Sequence, residues 1–349
     1  MALPCPRRES PILPDSCLIL PRVLPRPVDR VQNNVMRHAD TLDDLSAELG
    51  SLILSHAPVD GDHEPELPGV TLHRHSRVRD LPCCLARPSL VIAAQGAKCV
   101  EIGGFSYEYN ASHCLVTTLD LPVMSHVTVA SPETPYLCMA VALDLRNITR
   151  MMAEMGQPHP AAAPLGRAIG VSRLDRSLLD AAVRLARLMD APADVPYLAP
   201  MVEREILYRL LSSEHGPRLR QLAARDSGSS RIARAVEWLK EHYQQPLRID
   251  ELSQRLNMSV STLHHQFKSV TSMSPLQYQK QLRLHEARRL LLARRLDVGS
   301  IAMHVGYESP SQFNREYSRQ FGAPPLRDVQ RMLTMHENLP APTTQAVVT

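Results

Sequence analysis

Two stretches in the last third of the chain carry one apolar grid. They are LRIDELSQRLNMSVSTLHHQFKSVTSMSP (247–275) and LDVGSIAMHVGYESPSQFNREYSRQFGAPP (296–325). Leu252, Leu256 and Met258 correspond to Ile301, Val305 and Tyr307 at an offset of 49. Leu263, Phe267 and Pro275 correspond to Phe313, Tyr317 and Pro325 at an offset of 50, so the inserted residue falls in a turn. A repeat of that period and pattern means two copies of one supersecondary unit.

Each copy reads as helix, short turn, helix. In the second, Ile301, Ala302 and Val305 form the first helix face, and Gly306 supplies a left-handed turn position. Ser309 is placed to cap the next helix, with Pro310 in its first turn. Phe313 and Tyr317, four apart, turn that helix inward. In the first copy Asn257 takes the Gly306 position, and Asn tolerates that backbone geometry. Ser259 is the corresponding cap. This is a helix-turn-helix pattern, whose second helix lies in the DNA major groove. Between the copies, 276–294 reads as one helix with Leu282, Leu284, Ala287, Leu290 and Leu291 inward. It spans roughly 27 Å, close to the ~34 Å of one DNA turn, so the two reading helices can enter successive grooves.

Charge agrees with a polyanionic partner. The whole chain has a formal charge of +3, but residues 231–332 carry 16 Lys and Arg against 9 Asp and Glu, a balance of +7 there and −4 elsewhere. The alternative is a solvated basic face.

Upstream, the 349 residues leave room for one more sizeable domain. Residues 1–28 hold seven prolines and are expected to be a flexible leader. A helical stripe runs from Val31 to His56. From Gly69 to Leu145 the apolar period is two, with Gly103-Gly104 as a tight hairpin. Short strands at that spacing predict a sandwich or small barrel. Helical stripes resume at 145–155, 174–188 and 201–211. The polar stretch 221–230 reads as an interdomain linker, and 333–349 as a disordered tail. Apolar residues make up 44% and aromatic residues 4%, so the core is mostly aliphatic. No apolar run reaches 18 residues, and Cys17-Leu18-Ile19-Leu20 is too short for a signal-peptide core. Seven cysteines without a C-x-x-C predict free thiols in a reducing compartment, and the chain is expected to be cytoplasmic.

The motifs RLNMSVSTLHHQFK, SPLQYQKQLRLHEARRLLL and SIAMHVGYESPSQFNREYSRQFGAPP, in that order, make 231–332 resemble the DNA-binding domain of AraC/XylS-type transcription regulators. Residues 70–215 resemble the N-terminal domain of one subgroup, through SLVIAAQGAKCVEIGGFSYEY, DLPVMSHVTVASPETPYLCMAVALD and LAPMVEREILYRLL. The resemblance implies an α+β multidomain chain. Its N-terminal part (29–220) would be a β-rich cupin-like barrel with flanking helices that binds an effector or dimerises. Its C-terminal part (231–332) would be an all-α double helix-turn-helix domain that binds promoter DNA, often as an activator. Ser272 stands where the first unit usually has Gly, which implies a strained turn, and Ser253 and Asn257 replace the usual Ala and Gly.

In the first reading helix Leu263 and Phe267 point inward, while Ser261, Thr262, His264, His265 and Lys268 can point out. The family pattern puts Ser261, His264 and His265 toward base edges, and Lys268 suits a phosphate. In the second, Ser311, Gln312, Asn314 and Arg315 face out. Gln or Asn pairs bidentately with adenine, and Arg with guanine. Arg283, Arg288, Arg289, Arg294 and Arg295 on the linking helix are either phosphate clamps or ordinary surface charges.

The N-terminal domain shows no nucleophile–base constellation, so no enzyme activity or catalytic residue is expected. His73-Arg74-His75 echoes a cupin metal pair, but no Glu follows at short spacing, so neither metal nor cofactor is expected. Phe105, Tyr107 and Tyr109 either line an effector cavity or are core. Cys83 and Cys84 are either a thiol sensor or small buried hydrophobes. The expected partners are double-stranded promoter DNA, RNA polymerase, an unknown small-molecule effector and a second copy of the chain, with no membrane. The competing readings are a cupin-type metalloenzyme fused to a DNA-binding module and an effector-independent DNA-binding regulator.

Overall fold

The computed structural model describes residues 41–156, 166–224, 227–293 and 296–337. The leader (1–28) and the start of the helical stripe (31–40) lie outside the described residues. The first helix, α1 (Leu42–His56), begins where capping chemistry begins: the Thr41 hydroxyl accepts the Asp44 amide, and the Asp44 carboxylate accepts the Thr41 amide.

Nine strands follow among the described residues, the first just before the stretch that carries the period of two and the other eight within it. They are β1 (Gly61–His63), β2 (Val70–His75), β3 (Arg79–Ala86), β4 (Ser89–Gln95), β5 (Ala97–Ile102), β6 (Phe105–Asn110), β7 (His113–Thr117), β8 (Leu121–Val129) and β9 (Tyr136–Ala142). After α2 (Leu145–Glu154) comes a tenth, β10 (Ile169–Arg173), which the sequence pattern did not predict. It is only five residues long, with a glycine and an arginine, and it exists by pairing with β7 (Ile169 opposite Thr117). No local signal encodes that partner.

The strands form two antiparallel sheets, ordered β1-β2-β9-β4-β7-β10 and β3-β8-β5-β6. The hairpin expected at Gly103-Gly104 joins β5 to β6, with Ile102 opposite Phe105. The central strand β4 of the larger sheet is buried on both faces. In β4, Leu90 and Ile92 face the helices, while Val91 and Ala93 face the smaller sheet. Double burial leaves no polar face, hence the continuous apolar run in that segment. Helices α1, α3 (Arg176–Arg187), α4 (Val195–Ser212) and α5 (Gly216–Ala223) cover the outer face through Leu49, Ile53, Leu185 and Leu210.

Seven helices complete the described residues: α6 (Gly228–His242), α7 (Ile249–Arg255), α8 (Val260–Thr271), α9 (Pro275–Leu292), α10 (Val298–His304), α11 (Pro310–Phe321) and α12 (Pro325–Glu337). Two expectations need correction. The stretch 221–230 is mostly helix: Gln221 and Leu222 are buried at the end of α5, and Ser229 is buried at the start of α6, capped by Ser227. The Ser227 hydroxyl accepts the Ser230 amide, so there the polar composition marks a helix start rather than an open linker. The last helix also runs to Glu337, past the tail boundary expected at 333, and residues 338–349 lie outside the described residues.

Packing divides the molecule within α9. One core runs from between the sheets (Val100, Tyr136) through Ile232, Leu263, Phe267 and Tyr278. A separate core holds Leu284, Ala287, Ile301, Phe313, Tyr317 and Phe321. The first is stitched by polar contacts. The Ala168 amide donates to the Val270 carbonyl at 2.9 Å, the Tyr278 hydroxyl donates to the Asp120 carbonyl at 2.6 Å, and the Lys240 ammonium meets the buried Asp120 carboxylate. At the hairpin tip Gly103 (φ +55°) lies so close to Ser272 that a β-carbon would stand 2.4 Å from its carbonyl oxygen.

Candidate nucleic-acid interface

The two helix-turn-helix units are built by the local chemistry their sequences announce. Ser259 accepts the Thr262 amide at the start of α8, and Ser309 accepts the Gln312 amide at the start of α11. Asn257 (φ 51°) and Gly306 (φ 91°) hold the left-handed turn positions, as the repeat predicts. Ser272 (φ 63°) occupies the turn where Gly322 (φ 73°) stands in the second copy, a conformation costly for a residue with a β-carbon.

Leu263, Phe267, Phe313 and Tyr317 are fully buried. Ser261, Thr262, His264, His265 and Lys268 on α8, and Ser311, Gln312, Asn314 and Arg315 on α11, are all exposed. Each helix therefore turns one polar face outward over a closed apolar one. Arg315 and Lys268 make no ion pair among the described residues, and Gln312 makes only a long contact to Glu316 at 3.3 Å. These groups are free to receive a ligand.

The linking-helix arginines divide. Arg283 is a structural staple: its guanidinium donates to the Tyr243 carbonyl at 2.7 Å, the Gly306 carbonyl at 2.8 Å and the Gln245 carbonyl at 3.0 Å. Burial pushes its pKa below the ordinary guanidinium value. The turn it grips admits only glycine, since a β-carbon on Gly306 would stand 2.1 Å from the Gln244 carbonyl oxygen. Arg288 is buried and bidentate to Asp328 (2.9 Å twice), and Asp328 also accepts from the Tyr317 hydroxyl at 2.9 Å. Neither is a phosphate clamp, because their guanidiniums satisfy groups that folding desolvates. Arg289 pairs with Glu286 at the surface. Arg294 and Arg295 lie outside the described residues. Two exposed leucines escaped the sequence reading, Leu276 (64% exposed) and Leu326 (70%), although the offset of 50 pairs them.

In the β-rich domain β6 carries its three rings from surface to interior. Phe105 is exposed beneath the Arg167 guanidinium, 3.5 Å from the ring centre, and lines a crevice of about 370 Å³ with Met124, Met273, Gln281 and Gln320. Tyr107 is half-buried. Tyr109 is wholly buried, and its hydroxyl bonds that of Tyr136 at 3.0 Å. Burial pushes both phenols well above their ordinary value. The three rings do not share one cavity.

The side chain of Cys83 lies outside the described residues. Cys84 meets solvent yet stands among protein atoms that withhold hydration, which pushes its thiol above the ordinary value. A thiol sensor needs the opposite shift. His73 bonds Asp62 at 2.6 Å, while both ring nitrogens of buried His75 lack a partner, and burial lowers its pKa to about 4. Among the described residues no group of three His, Cys, Asp or Glu side chains is placed to hold a metal. Among them, too, no helix is long and apolar enough to cross a membrane.

Two family models match in tandem: the AraC-type transcriptional regulator N-terminus over residues 66–218 and a helix-turn-helix domain over 252–331. Together they give the chain an AraC-type N-terminal domain followed by a helix-turn-helix domain. Among curated proteins it is similar to the HTH-type transcriptional activator RhaS of Escherichia coli O157:H7, with 29% identity over 160 residues. That match covers 46% of this chain and 56% of RhaS. RhaS of Escherichia coli O1:K1 / APEC is 28% identical over the same shares. The match thus spans little more than half the length of these curated relatives. The fold is similar to that of ToxT from Vibrio cholerae, with TM-score 0.53 and 12% identity over 75% of this chain and 97% of ToxT. A second ToxT structure, described as bound to unsaturated fatty acid, gives a TM-score of 0.50 at 12% identity over 74% and 94%. The chain therefore shares the fold of ToxT, here a domain of two antiparallel sheets followed by a helical helix-turn-helix domain.

Proposed function

We propose that the chain is a sequence-specific, promoter-binding transcription regulator, and an activator, acting in the cytoplasm. The observation that carries this reading is the pair of capped helices α8 and α11. Each buries an apolar face, α8 in the core shared with the sheets and α11 in the second core, and presents exposed polar side chains outward. In this reading Gln312, Asn314 and Arg315 read base edges, Ser261, Thr262, His264 and His265 do so in the adjacent groove segment, and Lys268 and Ser311 steady the backbone. RNA polymerase is the further partner an activator requires.

The β-rich domain is proposed to take a small-molecule effector, and a similar structure, ToxT, is bound to unsaturated fatty acid. Phe105 is the aromatic residue of β6 that reaches a cavity, and that crevice touches both domains. Self-association is proposed through α4, whose Tyr197 and Met201 are 76% and 69% exposed.

The test is selection of bound fragments from genomic DNA by the full chain at near-physiological salt, because non-specific affinity collapses with salt. The expected product is a site of two short boxes about one helical turn apart. Arg315→Ala should then cost about 1–3 kcal/mol on that site and relax preference at one base pair. An equal loss on random DNA would make Arg315 a phosphate contact, and no enriched site would sink the sequence-specific reading.

A further inference from the structure

Leu326 stands in an open groove of about 670 Å³, with Val298 at the start of α10, Asn314, Arg315 and Ser318 on α11, and Pro324 and Pro325. The groove joins two proposed base readers to an apolar floor. The first copy carries the corresponding set at the same offsets: Ile249, His264, His265, Lys268, Pro275 and Leu276, with Ser274 where the second has Pro324. Ile249 and Val298 are both half-buried, and both leucines are exposed. A lone exposed leucine needs no explanation. The same leucine left bare in both copies, beside the reading helix each time, points to a partner that itself repeats.

Duplex DNA repeats along its axis, and each unit meets it in the same way. A protein partner such as polymerase presents one surface and would touch one copy. The chemistry of the two helix starts narrows the contact further. Helix starts commonly bind phosphate through free amides. Here Pro324 and Pro325 offer none, and at α9 Pro275 offers none while Ser274 and Gln277 spend theirs on a reciprocal cap. What each start keeps is the amide of its leucine and, beside it, the leucine side chain.

We infer that Leu276 and Leu326 pack against deoxyribose carbons at the groove rim, a paired apolar contact that seats each reading helix. The inference rests on the DNA-binding reading above. Because the contact is to sugar, it adds affinity without sequence preference, and because no ion is displaced, it leaves the salt dependence unchanged.

The test uses the full chain with Leu276→Gln, Leu326→Gln and the double substitution. All are at exposed positions, so thermal melting serves as the folding control. Kd is measured on a duplex selected from genomic fragments and on a shuffled duplex, at several salt concentrations, beside Arg315→Ala. Each single variant should weaken both duplexes by about fivefold, and the double variant by about 25-fold, at unchanged salt slope. An unchanged Kd overturns the inference, and if promoter-dependent transcription is lost at unchanged Kd the leucines face polymerase. A loss on the selected duplex alone overturns the sugar assignment in favour of a thymine methyl. If the leucine variants behave as expected while Arg315→Ala leaves preference intact, the base-reading assignment falls and the sugar contact stands.

Discussion

The first helix-turn-helix unit shares its apolar core with the β-rich domain, whereas the second keeps a core of its own. Phe267 and Tyr278 belong to the same cluster as Val100 and Tyr136 of the sheets, while Phe313, Tyr317 and Phe321 cluster with Tyr307 and with residues of α9, α10 and α12, and Tyr243 packs against both clusters. The two units use different glue as well. The first is fastened to its neighbour by the Asp120–Lys240 ion pair and the Tyr278 hydroxyl. The second is closed by the Arg288–Asp328 pair and a run of four rings, Tyr307, Phe313, Tyr317 and Phe321. A displacement of the smaller sheet therefore has a packed route to α8. It reaches α11 through the shared helix α9 and, at the domain face, through the crevice that Gln320 helps to line.

The sharpest way to break this contrast is Asp328→Ala. It strands the Arg288 guanidinium in the second core, at a cost of about 3–5 kcal/mol. Hydrogen exchange should show protection lost in α10–α12 while α6–α8 and the sheets stay protected. Simultaneous loss everywhere would mean the two cores unfold as one.

Acid should find the same seam. His285, in edge contact with Phe321, is held neutral by burial and next by Arg288, its pKa lowered to about 4. The unfolded chain takes up a proton near the ordinary value, so the folded state binds fewer protons in between. Stability is then full above about pH 6.5 and is lost as pH falls toward 4. Between pH 7 and 5 the second unit should lose about 2 kcal/mol. His75 and His215 are lowered in the same way within the β-rich domain, so that domain should also soften. Urea titrations at the two pH values, with His285→Gln flattening the slope of the second unit, check this.

The fastening of the first unit is tested by Gly103→Val. A β-carbon there collides with the Ser272 backbone, and the left-handed φ adds strain, about 1–2 kcal/mol together. Exchange should quicken in α8 and the β5–β6 hairpin and stay unchanged in α11. An effect on both units alike would deny the asymmetry.

The smallest effect is expected at the turn where the copies differ. Ser272→Gly relieves a left-handed serine and should raise stability by about 0.5–1 kcal/mol, whereas Gly322→Ser should lower it by a similar amount. Paired thermal melts of the two variants check the sign.

Short-range physics made much of this legible in the residues. The duplicated grid at 247–275 and 296–325, the caps Ser259 and Ser309, the left-handed turns at Asn257 and Gly306 and the Gly103-Gly104 hairpin all follow from contacts within a few residues, where side-chain chemistry and backbone preference act directly. The outward faces of α8 and α11 follow too, since a 3.6-residue period fixes which residues oppose Phe267 and Tyr317. The tertiary structure alone decided that β10 pairs with β7, that 221–230 ends and begins helices, and that Arg283 and Arg288 face inward rather than toward a phosphate. It also decided that β6 carries Phe105 to a crevice and Tyr109 to the core. For the strand, the arginines and the rings the deciding partner lies tens of residues away: Thr117 for Ile169, Asp328 for Arg288, Tyr136 for Tyr109. A guanidinium is charged and long wherever it stands, so sequence records its capacity to pair, and only packing determines which carbonyl or carboxylate it meets.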